Sequence, residues 1–528
     1  MELFKVDNAI ILAAGFGSRF VPITYELPKG LVPVKGEPML ERQIRQLQEK
    51  GINDIIIVVG YLKEKFDYLI DKYGVKLIYN PDYAVRNNLS SLFYARKFLS
   101  NSYILSADNW MAENIFNSYE DKSWYSCVYK EGPTSEWCVN TDDKGRINGV
   151  KIGGRDSWVM YGPVFLSQSF TDSFLGKIEE YYGKPGKENY MWENVFIDEI
   201  DNFDLFINKQ GSDNVYEFES IEELRQFDPE YYNKTPNVLI NTIENIFNVK
   251  ENQITDIKNL KAGMTNKSFG FSVKGQKYIF RLPGEGTEVL INRKQEWEAY
   301  SAVKNLGISD EVIYFSEENG YKISKYYDAR NTDARNRDDL EESMKVLRKF
   351  HNSKIKTGNC FIIADEIDRY LFLCKERNAV LYSDNDETYK KMKYLIDITD
   401  KMNVTPVLCH IDSNPDNYIR LDDGSVKIID WEYAGMCDPI MDISMYSIYS
   451  YYSKPEMDEL LNIYLERESD KNETVRLYSY AALGGYLWAL WTCYKQSFGV
   501  EFGEYGMKMY RYAKDYYNII IKEFILNE

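Results

Sequence analysis

Ala9-Ile10-Ile11-Leu12-Ala13-Ala14-Gly15-Phe16-Gly17-Ser18-Arg19 is the stretch that decides how the first half of the chain folds. An apolar run that ends in glycines reads as a buried strand leading into a phosphate loop. Gly15 and Gly17 let backbone N–H groups approach an anion closely, and a helix start beyond them favours negative charge. Outward from this stretch, Leu40–Lys50 has helical spacing and stops at Gly51. Asp54–Val59, Val75–Tyr79 and Tyr103–Ala107 are further short apolar strands. Strands alternating with helical stretches predict an α/β domain with a parallel, doubly wound sheet, continuing to about residue 225.

A chain of 528 residues is too long for one core. Residues 226–236 carry two prolines and no periodicity, so the boundary is expected there, giving domains 1–230 and 237–528. Beyond it comes a helix, Val238–Phe247, then strand-like Ser268–Val273 and Lys277–Leu282 around the turn Lys274-Gly275-Gln276. From Asp338 onward helical spacing dominates, broken by short strands near residues 407–430. A small β-rich lobe followed by a larger helical lobe is a bilobal, kinase-like layout.

Composition narrows the function. A net charge of −18 argues against nucleic-acid binding, which needs a basic surface. No apolar run reaches the ~18–20 residues of a membrane helix, so membrane insertion is not expected. Ala481–Trp491 is too short and contains two glycines. The segment Met1–Asn8 is polar, and the apolar run after it is too short for a signal peptide, so a cytoplasmic location is expected. Seven cysteines are scattered singly, which argues against a disulfide framework or a structural zinc. With two histidines in the whole chain, metals must be held by carboxylates, which favours Mg2+. The 44 tyrosines, 26 phenylalanines and 9 tryptophans supply rings that can hold a cation.

A second signature, His410-x-Asp412-x4-Asn417 followed by Ile429-Asp430, has the order of a phosphoryl-transfer loop. An alcohol must lose its proton as the new O–P bond forms. Asp412 is spaced to accept it, and Asn417 and Asp430 are spaced to hold metal. In the first half, Asp108 follows a buried strand, where open α/β sheets bind ligands, and is the candidate metal ligand. Glu193 is the expected second carboxylate, with Asp198 as the fallback. A phosphate monoester is already ionised at neutral pH and needs positioning and charge neutralisation rather than a base.

Gly15-x-Gly17-Ser18-Arg19-Phe20-x-Pro22-Ile23-Thr24-x3-Pro28-Lys29-x-Leu31-Val32-Pro33 resembles the signature of nucleoside-triphosphate:sugar-phosphate nucleotidyltransferases. The resemblance implies a Rossmann-like domain with a mixed, mainly parallel sheet, in which Arg19 and Lys29 hold the triphosphate. Residues 9–110, with Ser135-Glu136-Trp137 and Trp192-Glu193-Asn194, resemble bacterial CTP:phosphocholine cytidylyltransferases. That implies a nucleoside site from Leu12, Ala14, Gly15 and Gly17 and from Tyr83, Asn87, Asn88 and Ser91. It also implies that Trp137, Tyr129 and Trp192 face a trimethylammonium group. The chain departs from the family at Met191 and Glu193, where a tyrosine and an aspartate are usual; the lost ring bears on head-group choice.

Residues from about 255 to 500 resemble choline/ethanolamine kinases and their aminoglycoside-kinase relatives. Gly263-Met264-Thr265-Asn266 matches the nucleotide loop, with Thr265 and Asn266 as nucleotide contacts. Arg281 takes the place of the usual strand lysine, with Glu296 as its expected partner and Glu298 as the alternative. Leu487-Trp488-Ala489-Leu490-Trp491 resembles the segment whose tryptophans box a quaternary ammonium, and spacing i, i+3 puts both on one helix face. Tyr446 and Tyr449 are further expected walls, and His351 is expected to be structural.

Together the resemblances imply a bifunctional enzyme using Mg2+ in both domains. ATP would phosphorylate choline in the C-terminal domain, and CTP would convert phosphocholine to CDP-choline and pyrophosphate in the N-terminal domain. Ethanolamine or an aminoalkylphosphonate are alternative head groups. A sugar-1-phosphate nucleotidyltransferase fused to a small-molecule kinase is a second reading, and a regulatory module derived from one half is a third. Oligomeric state stays open, a homo-oligomer included.

Overall fold

The computed structural model describes residues 3–233, 235, 237–260, 266–284, 287, 289–499 and 502–526. The chain forms two compact units that divide between Asn259 and Leu260.

The first unit is built on a seven-stranded sheet. Its spatial order is Phe206–Gln210, Trp124–Thr141, Ile147–Leu166, Ser102–Ser106, Asn8–Ala13, Ile55–Val59, Lys76–Tyr79. Asn8–Ala13 runs parallel to both of its neighbours, and Ile55–Val59 is parallel to Lys76–Tyr79. Asn8–Ala13 and Ile55–Val59 are buried at every position, as sheet centres covered on both faces require. The sheet becomes mixed where Ile147–Leu166 pairs antiparallel with Ser102–Ser106 and with Trp124–Thr141. This long hairpin has no clear signal in the sequence. Repeated register shifts break its alternation, and much of its outer length is exposed.

Two expectations are corrected by this unit. The glycine loop does not open an α-helix. Short 3-10 turns follow at Ser18–Phe20, Ile23–Tyr25 and Lys29–Leu31, and the first α-helix is Met39–Glu49. Pro22 and Pro28 lie in this stretch, and proline interrupts helical hydrogen bonding. The boundary expected at 226–236 also lies ahead of the observed division. The helix Val238–Phe247 is tied to the first unit: its cap Asn237 donates to Glu26 Oε2 (3.0 Å), and buried Glu251 accepts from Arg225 (2.6 Å) and from the Thr235 N–H (2.6 Å). Two prolines signal lost periodicity, but a buried carboxylate with three donor groups around it holds the turn in place.

The second unit begins with antiparallel strands in the spatial order Asn266–Val273, Gln276–Pro283, Lys322–Lys325, Val312–Phe315. The helix Arg293–Val303 follows the second of these in sequence. The helical part centres on Lys471–Gln496, 26 residues long and buried around almost its whole circumference. Gly484 and Gly485 make that packing close: a Cβ on Gly485 would lie 2.6 Å from the Met509 carbonyl oxygen, and one on Gly484 2.8 Å from the Met445 side chain. Among the described residues, no helix is long and apolar enough to cross a membrane.

Candidate active sites

In the first unit the loops at the carboxyl ends of the parallel strands converge. Lys29 is buried, and its Nζ lies 2.7 Å from Asp108 Oδ2. Gly30 makes this approach feasible, since a Cβ there would sit 2.7 Å from that of Ala107. Gly17 adopts φ 66°, its carbonyl accepts from Thr24 Oγ1 (3.0 Å), and a Cβ on it would crowd Lys29. Loop and lysine are therefore packed as one piece. Burial pushes the Asp108 carboxyl up, but Lys29 outweighs this and the net shift is downward. Arg19 is exposed and pairs with Glu219.

The same unit holds a cavity of about 290 Å³ lined by Ala14, Gly15, Tyr83, Asn87, Asn88 and Ser91. Its expected residues come together because Asn87 caps the helix Asn88–Ala95, and Asn80 donates to Ser91 Oγ (3.0 Å). Leu12 itself is buried, and its carbonyl accepts from the Ala107 N–H (3.0 Å). Asn88 reaches further: its Oδ1 accepts from the Trp192 N–H (2.8 Å) and its Nδ2 donates to Glu193 (3.4 Å).

The second carboxylate needs correction. Glu193 is held by Asn88 and by the Tyr125 hydroxyl (3.3 Å), and burial pushes it up to about 7. The residue set beside Asp108 is Glu217, which the sequence reading missed. The short strand Val215–Glu217 pairs with Asn109–Met111 and places Glu217 opposite Asn109. Burial, and then the Asp108 charge, push Glu217 up to about 7. Tyr125 lies in the field of both Glu193 and Glu217, Glu193 the stronger. Asp198 is engaged by Tyr190 (3.1 Å) and Lys187 (3.5 Å).

Of the three rings expected around a cation, Trp192 is a core residue. It is 2% exposed, stacks on Tyr125 at 6.0 Å and meets Phe174 edge-on at 6.1 Å. As the first residue of its helix it points into the apolar interior. Trp137 is half-buried, and Tyr129 is exposed against Trp158 at 5.5 Å.

In the second unit, Asp412 is gripped at both oxygens. Tyr449 donates to Oδ1 (2.7 Å) and Asn417 Nδ2 to Oδ2 (3.0 Å). Burial raises its carboxyl above the usual range despite nearby His410 and these donors. The loop carrying it is strained at Ile411, whose φ of 69° is rare for a β-branched residue. Asp442 holds that strain, because its carboxylate accepts from the N–H groups of His410 (2.8 Å) and Ile411 (2.7 Å) and from His351 Nε2 (3.0 Å). His351 is thus a structural residue, backed by Tyr464 at 2.8 Å.

Arg281 and Glu296 meet at 2.6 Å as expected, and Arg281 also reaches Asp430 at 2.9 Å. Asp430 is pushed up by burial and pulled further down by Arg281, ending below its usual range. Asn266 donates to Glu432 (3.1 Å), whereas Gly263, Met264 and Thr265 lie outside the described residues.

The aromatic wall is partly as expected. The Trp488 ring lies 6.0 Å from Tyr449 and 6.4 Å from Trp491. Tyr446 is corrected: it is fully buried against Tyr418 (5.5 Å) and Tyr452 (6.5 Å), in the core. Three other rings complete the wall. Tyr433 meets Trp488 at 5.5 Å, Phe502 meets Trp491 at 4.9 Å, and Tyr505 lies 6.5 Å from Trp491. Tyr433 follows Asp430 by three residues, a proximity that could have flagged it; Phe502 and Tyr505 carry no local motif.

Both sites offer hard oxygen donors suited to Mg2+: Asp108 with Glu217, and Asp430 with Asn417. Asp108 and Glu217 lie in each other's field and are both half-buried, and burial first and then the Asp108 charge favour the protonated form of Glu217; a divalent cation would relieve that repulsion.

Both halves of the chain are similar to known proteins. Residues 257–518 match the family model for choline/ethanolamine kinase, and residues 9–109 match that for the MobA-like NTP transferase domain. A choline-phosphate cytidylyltransferase of Streptococcus pneumoniae is 38% identical over 221 residues, covering 42% of this chain and 96% of the relative. A 2-aminoethylphosphonate cytidylyltransferase of Lancefieldella rimae is 36% identical over 228 residues, covering 42% of this chain and 93% of the relative. The crystal structure of choline kinase LicA from Streptococcus pneumoniae matches at 26% identity and TM-score 0.48, covering 53% of this chain and 98% of that one.

Proposed function

We propose that this chain, which belongs to the choline-phosphate cytidylyltransferase family through its first unit and carries a choline/ethanolamine kinase domain in its second, performs two consecutive transfers. The second unit phosphorylates choline with ATP. The first unit joins phosphocholine to CTP, giving CDP-choline and pyrophosphate. The observation that carries the reading is Tyr449, whose hydroxyl donates to Asp412 (2.7 Å) while its ring stands 6.0 Å from Trp488. A cation caged by these rings presents its own hydroxyl to the base.

In the kinase unit, Asp412 accepts the choline hydroxyl proton as that oxygen attacks the γ-phosphorus. Trp488, Trp491, Tyr449, Tyr433 and Tyr505 hold the trimethylammonium through cation–π contacts. Arg281, steadied by Glu296, neutralises nucleotide phosphates, with Asn266 beside them. Asp430 and Asn417 hold Mg2+.

In the cytidylyltransferase unit no proton needs removal. Lys29 and Arg19 neutralise the triphosphate, and the Gly15–Gly17 loop gives its phosphates backbone donors. The cavity of Ala14, Tyr83, Asn87, Asn88 and Ser91 takes cytidine. Asp108 and Glu217 hold Mg2+, while Trp137, Tyr129 and Glu193 face the cationic head group. When bound, Mg2+ supplies charge neutralisation at the reacting phosphates in both units.

Phosphorus NMR of the full chain with Mg2+, ATP, CTP and choline tests this. Growth of CDP-choline and pyrophosphate with transient phosphocholine is the expected result. Phosphocholine that accumulates without CDP-choline would overturn the assignment of the first unit. Ethanolamine in place of choline tests the head group, and slower turnover is expected because a primary ammonium loses more hydration in an aromatic cage.

A further inference from the structure

One buried cation in the second unit has no step assigned to it above, although after Arg281 it is the next charge that lowers the Asp430 carboxyl. Lys322 is 5% exposed, and its Nζ bonds the Tyr300 hydroxyl and Asp310 Oδ2 (3.1 Å). The ammonium also lies 4.4 Å from the centre of the Tyr300 ring. Tyr300 and Asp310 are buried as well. A buried, hydrogen-bonded ion pair is costly to assemble and contributes little net stability, so its retention calls for another role.

The surroundings supply one. Lys322 is the direct cross-strand partner of Arg281, so both side chains leave the sheet on the same face. Glu296 and Tyr300 stand one turn apart on the helix Arg293–Val303. One helical turn rises ~5.4 Å, and neighbouring strands lie ~4.8 Å apart. The helix therefore meets adjacent strands with successive turns. Arg281–Glu296 at 2.6 Å is one rung, and Lys322–Tyr300 is the next. A single ion pair lets a helix rotate and slide, whereas two rungs fix both motions. Asp310, just outside the strand Val312–Phe315, anchors the second rung to the sheet.

We propose that Lys322, with Tyr300 and Asp310, is a positioning device for the kinase site: it fixes the helix Arg293–Val303 so that Glu296 holds Arg281 in its phosphate-binding pose. This rests on the kinase reading of the second unit. Mg2+–ATP affinity, measured by titration calorimetry on the full chain without an acceptor, tests it independently of which alcohol is phosphorylated. Lys322→Met should weaken Mg2+–ATP binding about tenfold while leaving choline binding within twofold. Lys322→Arg should recover most of the loss. Tyr300→Phe keeps the buried Lys322–Asp310 pair and cuts the link to the helix alone, so it should also weaken nucleotide binding, by about threefold to fivefold. In a double-mutant cycle, Tyr300→Phe should add little once Glu296→Gln is present, because both act through Arg281. Wild-type nucleotide affinity in Tyr300→Phe, or losses that simply add in the cycle, would overturn the proposal. Failure of the wild-type chain to phosphorylate choline would instead overturn the functional reading and leave these binding results intact.

Discussion

Lys29 meets Asp108 at 2.7 Å in the first unit, and Tyr449 meets Asp412 at the same distance in the second. One carboxylate is paired with a full positive charge and falls below its usual range; the other is raised by burial, which outweighs the hydrogen bonds it accepts from neutral donors. The contrast follows from the two nucleophiles. A phosphate monoester arrives ionised, so the first site needs charge neutralisation and keeps its aspartate as an anion. An alcohol arrives protonated, so the second needs an acceptor, and burial beside neutral donors keeps Asp412 basic enough to take a proton.

Exchanging these roles by mutation should break the comparison most sharply. Asp412→Asn should lower choline phosphorylation by about 10²–10⁴-fold, the range for losing a general base, and leave CDP-choline formation from added phosphocholine unchanged. Asp108→Asn should do the reverse. Two coupled spectrophotometric assays on the same preparation read both, and loss of both activities from either variant would contradict the division of labour. Next in size, Lys29→Met should reduce cytidylyl transfer by about 10²–10³-fold, as expected for a removed charge stabiliser at the reacting phosphates. It should also change the pH dependence of that unit, because Asp108 loses the charge that holds it down. A loss confined to KM for CTP would mean that Lys29 only binds ground-state nucleotide.

The cation sites differ in depth. Trp488 is 3% exposed, whereas Tyr129 is 40% exposed and Trp137 half-buried. A desolvated cation–π contact contributes about 2 kcal/mol and an open one about 0.5–1 kcal/mol. Trp488→Leu should then raise the choline KM about thirtyfold, and Trp137→Leu the phosphocholine KM only about threefold to fivefold. Equal effects would show that the two cages are alike in spite of their burial.

Much of both sites was legible because the chemistry is local. Gly15, Gly17 and Lys29 lie within one short segment, and Asp412, Asn417 and Asp430 have fixed offsets. The carboxyl ends of the apolar strands located Asp108. What stayed hidden depended on distant pairing. Glu217 is set opposite Asn109, the residue after Asp108, by a three-residue strand whose pairing nothing local announces. Trp192 and Tyr446 looked like cage walls because an aromatic near a motif gives no sign of which way it points. One turns into the core beside Phe174, and the other packs on Tyr418. Tyr505 joins the wall from a different helix altogether. The hairpin Trp124–Thr141/Ile147–Leu166 escaped because bulges erase the two-residue period on which strand recognition depends.

The smallest expected effect separates the units by pH. Glu193 and Glu217 are each pushed up to about 7, chiefly by burial. Their folded-state values exceed those of an unfolded chain, so folding favours their protonated forms. The resulting stabilisation is fully present below the ordinary glutamate range near 4.5 and is lost as pH rises through about 7. A divalent cation prefers the ionised forms and acts in the opposite sense. Without Mg2+, the melting temperature of the cytidylyltransferase unit should therefore fall between pH 6 and pH 8, and added Mg2+ should raise it more at the higher pH. Glu432 is also pushed up to about 7, so a fall in the kinase unit is expected as well and must be subtracted. Glu217→Gln does this within one protein: it cannot ionise, so the difference in melting temperature between pH 6 and pH 8 should shrink and the Mg2+ response should weaken. An unchanged Mg2+ response in Glu217→Gln, measured by scanning calorimetry at both pH values, would return the metal-holding role to Glu193.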